Sequence, residues 1–267
     1  MNALDFGQLL PLLAIAVTAG IFGGILAGLL GVGGGIVIVP ALYLALSTAG
    51  MDPAITMQVA VGTSLATIVF TSLSSGYGHF KRGAIDMDLL KLWAPSLLVG
   101  VVIGALLGGY VSGLILVAVF ATVAALVALD MIFRKTKDDP TPRGFAKPIW
   151  AVLGVITGGL SAMMGIGGGT IGVPLLNFLG YDIRGLPGAV VYALTGLGAE
   201  GLPPFSLGYV NLAAAAIIIP LTSSFAHVGV KLAHSIPRRA LRFAFGIFLM
   251  ITSLRMLFDL FEAFSKS

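Results

Sequence analysis

The sequence predicts an all-α polytopic membrane protein made of two homologous halves, and three observations carry that prediction. Of the 267 residues, 58% are hydrophobic and only 10% are Asp, Glu, Lys or Arg, against about 25% charged in an average soluble domain. The charges are also clustered: stretches 6–51, 92–129, 148–181 and 201–230 contain none, and each exceeds the ~20 residues that a helix needs to cross a ~30 Å hydrocarbon layer. Finally, the chain repeats itself, since GVGGGIVIVP (31–40) returns as GIGGGTIGVP (165–174). The apolar runs are continuous and do not alternate at period two, so they predict helices and not a β-barrel.

In chain order, the N-terminal MNALDFGQLLPLLAIAV lacks the positive region of a signal peptide and is expected to belong to the mature chain. A long segment broken by glycines follows over 7–48, then helices near 56–76, 89–109 and 112–133. RKTKDDPTPRGFAK (134–147) holds two prolines and five Lys/Arg, which predicts an exposed basic linker between a first transmembrane repeat (1–133) and a second (148–267). The second repeat reads as a broken segment over 149–179 and helices near 186–201, 208–230 and 240–262. Arg255 and Asp259 in the last helix are spaced to pair on one face.

The halves align at two offsets. Gly24, Gly31 and Pro40 match Gly158, Gly165 and Pro174 at 134, while Gly83, Ile85, Asp86 and Pro95 match Gly208, Val210, Asn211 and Pro220 at 125. Weak internal symmetry of this kind is typical of secondary transporters. The basic residues then orient the chain. Lys81, Arg82, Lys91, the linker, Arg184, Lys231, Arg238 and Arg239 all fall on one side if each broken segment is re-entrant, dipping in and returning to the same face. That leaves three crossings per half and makes the halves inverted repeats. Eight full crossings with parallel halves is the competing topology, and it places the Lys231–Arg239 cluster outside.

The glycine motif is not a phosphate loop, because it sits inside apolar segments and lacks the Lys-Ser/Thr of that motif. Close helix packing suits Gly23, Gly24, Gly28, Gly104, Gly108 and Gly109. It suits Gly31, Gly33, Gly34 and Gly35, or Gly165, Gly167, Gly168 and Gly169, less well, since a helix interface needs one small residue per turn. Consecutive glycines predict unwound backbone, which at membrane depth must be buried in protein or line a cavity. The amides at such a break suit an anion, and Thr170 follows the second copy directly. On the first crossing helix Thr63, Ser64 and Thr67 lie close together, with Thr63, Thr67 and Thr71 on one face. These are candidate donors to an oxyanion, although each could equally bond its own helix. Tyr192 and Thr195 are the counterparts in the second half. Candidate coupling or gating groups are His79, Arg82, Glu200 and His227, each of which could equally be an interfacial or loop residue.

Cysteine is absent, which excludes disulfides and thiolate metal sites. No metal-ligand spacing and no hydrolase signature is present, so neither enzyme chemistry nor a cofactor or metal is expected. The net charge of +4 reflects basic loops and not nucleic-acid binding.

The segments GGILAGLLGVGGGIVIVPAL, VGTSL, RGAIDMDLL and GGLSAMMGIGGGTIGVPLL resemble the sulfite exporter TauE/SafE family of membrane permeases over essentially the whole chain. The resemblance implies a secondary transporter of small anions, chiefly sulfite and organosulfonates such as sulfoacetate. The second half departs from the first, with VYALTGLGAE in place of VGTSLAT and Asn211 in place of Asp86. The expectation is therefore an inner-membrane carrier, monomer or homodimer, that takes a small anion between the two glycine breaks by alternating access, with protons as the first candidate for a coupling ion. Another small carboxylate or inorganic anion, a fixed-pore anion channel, and a non-transporting membrane protein are the alternatives.

Overall fold

The computed structural model describes residues 6–30, 34–81, 87–133, 147–166, 185–233 and 236–265. Among these are nine helices and one small hairpin: α1 (Phe6–Leu30), α2 (Gly35–Thr48), α3 (Pro53–Lys81), α4 (Met87–Tyr110), α5 (Gly113–Phe133), α6 (Lys147–Met163), α7 (Gly185–Thr195), β1 (Ser206–Leu207), β2 (Val210–Asn211), α8 (Leu212–Ala233) and α9 (Arg238–Ser265). Four are long and apolar enough to cross a membrane, over Pro53–Phe70, Gly113–Phe133, Leu212–Gly229 and Arg239–Ser265, so the protein is a multi-pass membrane protein. The predicted helix over 186–201 stops at Thr195, and the one predicted from 208 starts at Leu212. Gly208, at φ 56°, instead opens a two-residue turn between β1 and β2, which suits the primed turns of hairpins.

The largest helix pairings are α1 with α8, α4 with α6, and α5 with α9. The first two meet through glycines that admit the partner's backbone, as close packing in a membrane requires. A Cβ on Gly24 would lie 2.8 Å from Thr222 Cα, and one on Gly158 would overlap the Leu97 carbonyl oxygen. Similarly, a Cβ on Gly229 would overlap the carbonyl of Ile25, and one on Gly104 that of Gly159. These contacts are counterparts under the two sequence offsets: Gly24 and Ile25 correspond to Gly158 and Gly159, while Leu97 and Gly104 correspond to Thr222 and Gly229. Pro95 and Pro220 are likewise each the ninth residue of their helices, α4 and α8.

Helix directions follow from the same contacts. Pairing advances in step along α1 and α8 and along α4 and α6, so these pairs are parallel. By contrast α5 runs antiparallel to α9: Ala128 and Met131 lie against Gly246, and Ala121 accepts a 2.6 Å bond from Ser253 Oγ. Asp130 and Arg242, 3.5 Å apart, extend that seam. α3 also runs antiparallel to α7, since Gly62 meets Tyr192 and Leu65 meets Gly188. The turns at 49–52, 111–112 and 196–209 gather at one end: Gly113 abuts the carbonyls of Pro53 and Ala54, Gly201 faces Ile55, and Gln58 Nε2 donates to the Val111 carbonyl at 2.8 Å. Those three turns carry Asp52 and Glu200 and no Lys or Arg.

α3 is the central element. Met57, Val59, Ala60, Val61, Leu65 and Ile68 are buried on it together with the polar Thr56, Gln58, Thr63, Ser64 and Thr67. Every residue over 56–65 is buried, and a crossing helix covered there with polar groups inside is where a transport route is sought.

Candidate functional site

The site is built where two helix ends meet the side of α3. α6 stops in a Schellman turn: Ile166 N–H bonds the Ser161 carbonyl at 3.0 Å, Gly165 N–H bonds the Ala162 carbonyl at 3.2 Å, and Gly165 takes φ 65°. Ser161 Oγ also donates to the Ile166 carbonyl. α2 starts at the other copy of the motif. Gly34, at φ 73°, is its N-cap, and its carbonyl accepts from Val37 and Ile38 at 3.0 and 3.1 Å. Glycine is the residue that takes this left-handed geometry without strain. The next residue, Gly35, is a contact point: a Cβ there would overlap the Gly165 carbonyl oxygen and lie 2.7 Å from Ile68 Cδ1 and 3.0 Å from Ser64 Oγ. Thus one glycine of the motif stops a helix, another starts one, and a third lets the two motifs touch.

α3 ties this junction together. Ser64 Oγ donates to the Gly165 carbonyl at 2.8 Å, and Thr67 Oγ1 donates to the Ser64 carbonyl at 2.7 Å. Thr63 Oγ1 accepts from the Asn211 N–H at 2.9 Å. All three side chains are fully buried. Ser64 stands about 17 Å along α3 from Pro53 at 1.5 Å per residue, close to half of a ~30 Å hydrocarbon layer.

Of the sequence-predicted residues, Gly34, Gly35, Thr63, Ser64, Thr67 and Gly165 are therefore brought together. Tyr192 lies close by on α7, fully buried, with its ring edge-on to Tyr209 at 6.4 Å and its hydroxyl packed on Gly108 without a hydrogen-bond partner. Thr195 bonds back to the Val191 carbonyl of its own helix at 2.9 Å. Glu200 is exposed in the turn after α7, and His227 is exposed with Nδ1 3.0 Å from the Ser223 carbonyl, one turn back on α8. Neither reaches the junction. Gly31, Gly33, Arg82, Gly167, Gly168, Gly169, Thr170 and most of the linker lie outside the described residues, as does the side chain of His79.

Two residues that the sequence reading left without a role matter here. Asn211 caps α8 by accepting from Ala214 N–H at 2.8 Å, and its Nδ2 donates to the Pro204 carbonyl and to Ser206 Oγ at 2.9 and 3.1 Å. The signal was its alignment with Asp86. Gln58 is buried with its Oε1 unpartnered, and no pattern in the sequence marks it. Burial pushes the Tyr209 phenol above its ordinary range, so it stays neutral beside this polar cluster. Among the described residues no group of His, Cys, Asp or Glu could hold a metal ion.

The model of the family described as sulfite exporter TauE/SafE matches residues 16–256. A probable membrane transporter protein of Haemophilus influenzae is 30% identical, with 91% of this chain and 97% of the relative covered. Another of Methanocaldococcus jannaschii is 30% identical over 95% and 97%, and one of Bacillus subtilis is 28% identical over 88% and 96%. No solved structure matches the chain. The chain belongs to the sulfite exporter TauE/SafE family, a family of membrane transporters and not of enzymes.

Proposed function

We propose that the chain is a secondary active transporter of a small anion, with sulfite or an organosulfonate such as sulfoacetate as its substrate. One observation carries the reading: two glycine motifs, 134 residues apart, meet at Gly35 and Gly165 against Ser64, about halfway along a buried crossing helix. The N-terminus of α2 supplies unpaired backbone amides there, and Thr63, Ser64 and Thr67 supply hydroxyls. The undescribed glycines and Thr170 of the second motif complete the proposed binding set, with Tyr192 beside it.

The mechanism is alternating access, with one repeat (1–133) rocking against the other (148–267). Support for inverted repeats comes from the counterpart helices: α3 opposes α7, and α5 opposes α9. A two-fold axis in the membrane plane reverses each helix against its counterpart, whereas an axis along the membrane normal does not. The antiparallel α1–α2 pair, with the first motif at its tip, supports a re-entrant reading. The turns 49–52, 111–112 and 196–209 have no Lys or Arg, while Lys81, Lys91, Lys147, Lys231, Arg238 and Arg239 lie toward the other ends of their helices. By the positive-inside rule, the latter end and the 134–147 linker are cytoplasmic, in the inner membrane. Protons are the proposed coupling ion.

The test is radiolabelled flux in proteoliposomes across sulfite, sulfoacetate, taurine and simple carboxylates, with and without a pH gradient. A sulfonate or sulfite carrier shows saturation and counter-flow with those substrates. Flux of carboxylates alone overturns the substrate, and flux without saturation or counter-flow overturns the carrier in favour of a channel.

A further inference from the structure

A cavity of about 90 Å3 lies between α1, α2, α3 and α8, at the end of the bundle that carries Asp52 and Glu200. Its walls are apolar, from Leu42, Leu46, Val59 and Ile217 among others, and its polar members are Thr63 and Asn211. Thr63 is the immediate neighbour of Ser64, which bonds Gly165, so the cavity reaches within one residue of the glycine junction. Pro203, Pro204 and Phe205 form the remaining wall. We propose that this cavity is the outer antechamber of the transport route, and that Leu202–Asn211 is the strap that gates it, latched by Asn211.

Three further features of the strap carry the proposal. Asn211 holds it at both levels: Nδ2 grips the Pro204 carbonyl and Ser206 Oγ, while its backbone N–H is bound to Thr63 at the base of the cavity. Phe205 is the one non-glycine residue with positive φ among the described residues, at 63°. A bulky residue there is strained, and such strain persists only where surrounding contacts enforce it. The enforcing contact is Leu212 N–H to the Phe205 carbonyl at 2.9 Å. Gly201, at φ 75°, precedes the segment and supplies a hinge, while Gly208, at φ 56°, forms the hairpin turn within it. With the strap down, the passage past Val59 is narrow and lined mostly by apolar side chains, and apolar constrictions exclude ions. Releasing the latch frees the strained segment and admits water down to Thr63.

The inference rests on the transport reading but is testable without any substrate. The chain has no cysteine, so Val59→Cys places a single thiol in the cavity wall. The full-length protein in liposomes is treated with a membrane-impermeant methanethiosulfonate from the side carrying Asp52 and Glu200. Labelling is expected to be slow. It should become about tenfold faster with Asn211→Asp, which keeps the cap on Ala214 and can still accept from Ser206 but removes the donor to the Pro204 carbonyl, the factor for about one net hydrogen bond. Ser206→Ala, a milder loosening, should accelerate it by a smaller factor. A thiol at Ala124→Cys, buried between α5 and α9, should stay unlabelled in every background, which separates strap opening from unfolding. Fast labelling of Val59→Cys with the latch intact, or rates unchanged by both latch variants, overturns the gate. Absence of sulfite flux bears on the substrate and leaves this readout untouched.

Discussion

Gly35→Ala is the sharpest perturbation of the junction. The added methyl would overlap the Gly165 carbonyl oxygen and stand 2.7 Å from Ile68 Cδ1 and 3.0 Å from Ser64 Oγ. Two of these three neighbours are backbone or a hydroxyl already committed to a hydrogen bond, so the strain falls on the Ser64–Gly165 tie. Overpacking of this kind costs about 1–3 kcal/mol, and a weakened buried hydrogen bond adds about 1 kcal/mol. The total of roughly 2–4 kcal/mol is expected to lower the melting temperature in detergent by about 2–4 °C per kcal/mol. Anion flux should fall further than stability does, because the two motifs are forced apart at the proposed binding point. Gly104→Ala supplies the control: it overlaps the Gly159 carbonyl with a comparable penalty, but at the α4–α6 seam away from the junction. If Gly35→Ala melts with wild-type protein, or loses no more flux than Gly104→Ala, the junction is a packing contact and not a substrate site.

Other consequences follow from the same contacts. Ser64→Ala leaves the buried Gly165 carbonyl without its donor and should cost about 1–3 kcal/mol, read by thermal melt; combined with Gly35→Ala the loss should be less than additive, because the methyl no longer meets Oγ. Gly104→Ala and Gly229→Ala, which are counterparts, should lower the melting temperature by similar amounts, and a large disparity between them would count against the two-fold relation. Thr195→Val should leave flux unchanged, since its hydroxyl bonds its own helix at Val191. Arg242→Met should shift stability by less than about 1 kcal/mol, because its 3.5 Å pair with Asp130 is partly exposed. Cysteines at Ala49 and at Ser112 should be labelled from the same side of the membrane, and labelling from opposite sides would refute the helix directions.

Much of the architecture was legible because membrane helices write themselves in long uncharged runs, and the linker and repeat offsets survive as glycines and prolines. The offsets predicted more than ancestry: they matched the packing residue by residue, at Gly24 with Thr222 and Gly158 with Leu97. What was not legible was short and tertiary. The Ser206–Asn211 hairpin runs straight into the uncharged stretch of α8 with no charge to mark the boundary, so the helix is predicted from 208. The role of Asn211 depends on the Pro204 carbonyl and on Thr63, 148 positions away in sequence. Thr195 and His227 looked available in sequence only because a bond to the preceding turn leaves no trace in composition.

The hydroxyls of α3 raise a point that bears on mechanism. In this conformation Ser64, Thr67 and Thr63 each have a protein partner: the second glycine motif, α3 itself and the start of β2–α8. An anion that takes a hydrogen bond from Ser64 or Thr67 has to take over one of these bonds, whereas Thr63 only accepts here and keeps its own hydrogen to donate. An exchange of one hydrogen bond for another of similar strength costs little net free energy, whereas leaving a buried hydroxyl unpaired costs more. On the proposed alternating-access reading with Ser64 as a ligand, the anion enters as the tie is released, and Ser64 lets go of Gly165 while it engages the substrate. Such coupling makes empty-carrier reorientation slower than loaded reorientation, because the empty carrier breaks the tie without replacement. The measurable form is counter-flow: substrate on the far side should accelerate exchange above net efflux in the wild type, and Ser64→Ala should erase most of that difference. Equal acceleration in both would show that the Ser64–Gly165 bond is a static brace.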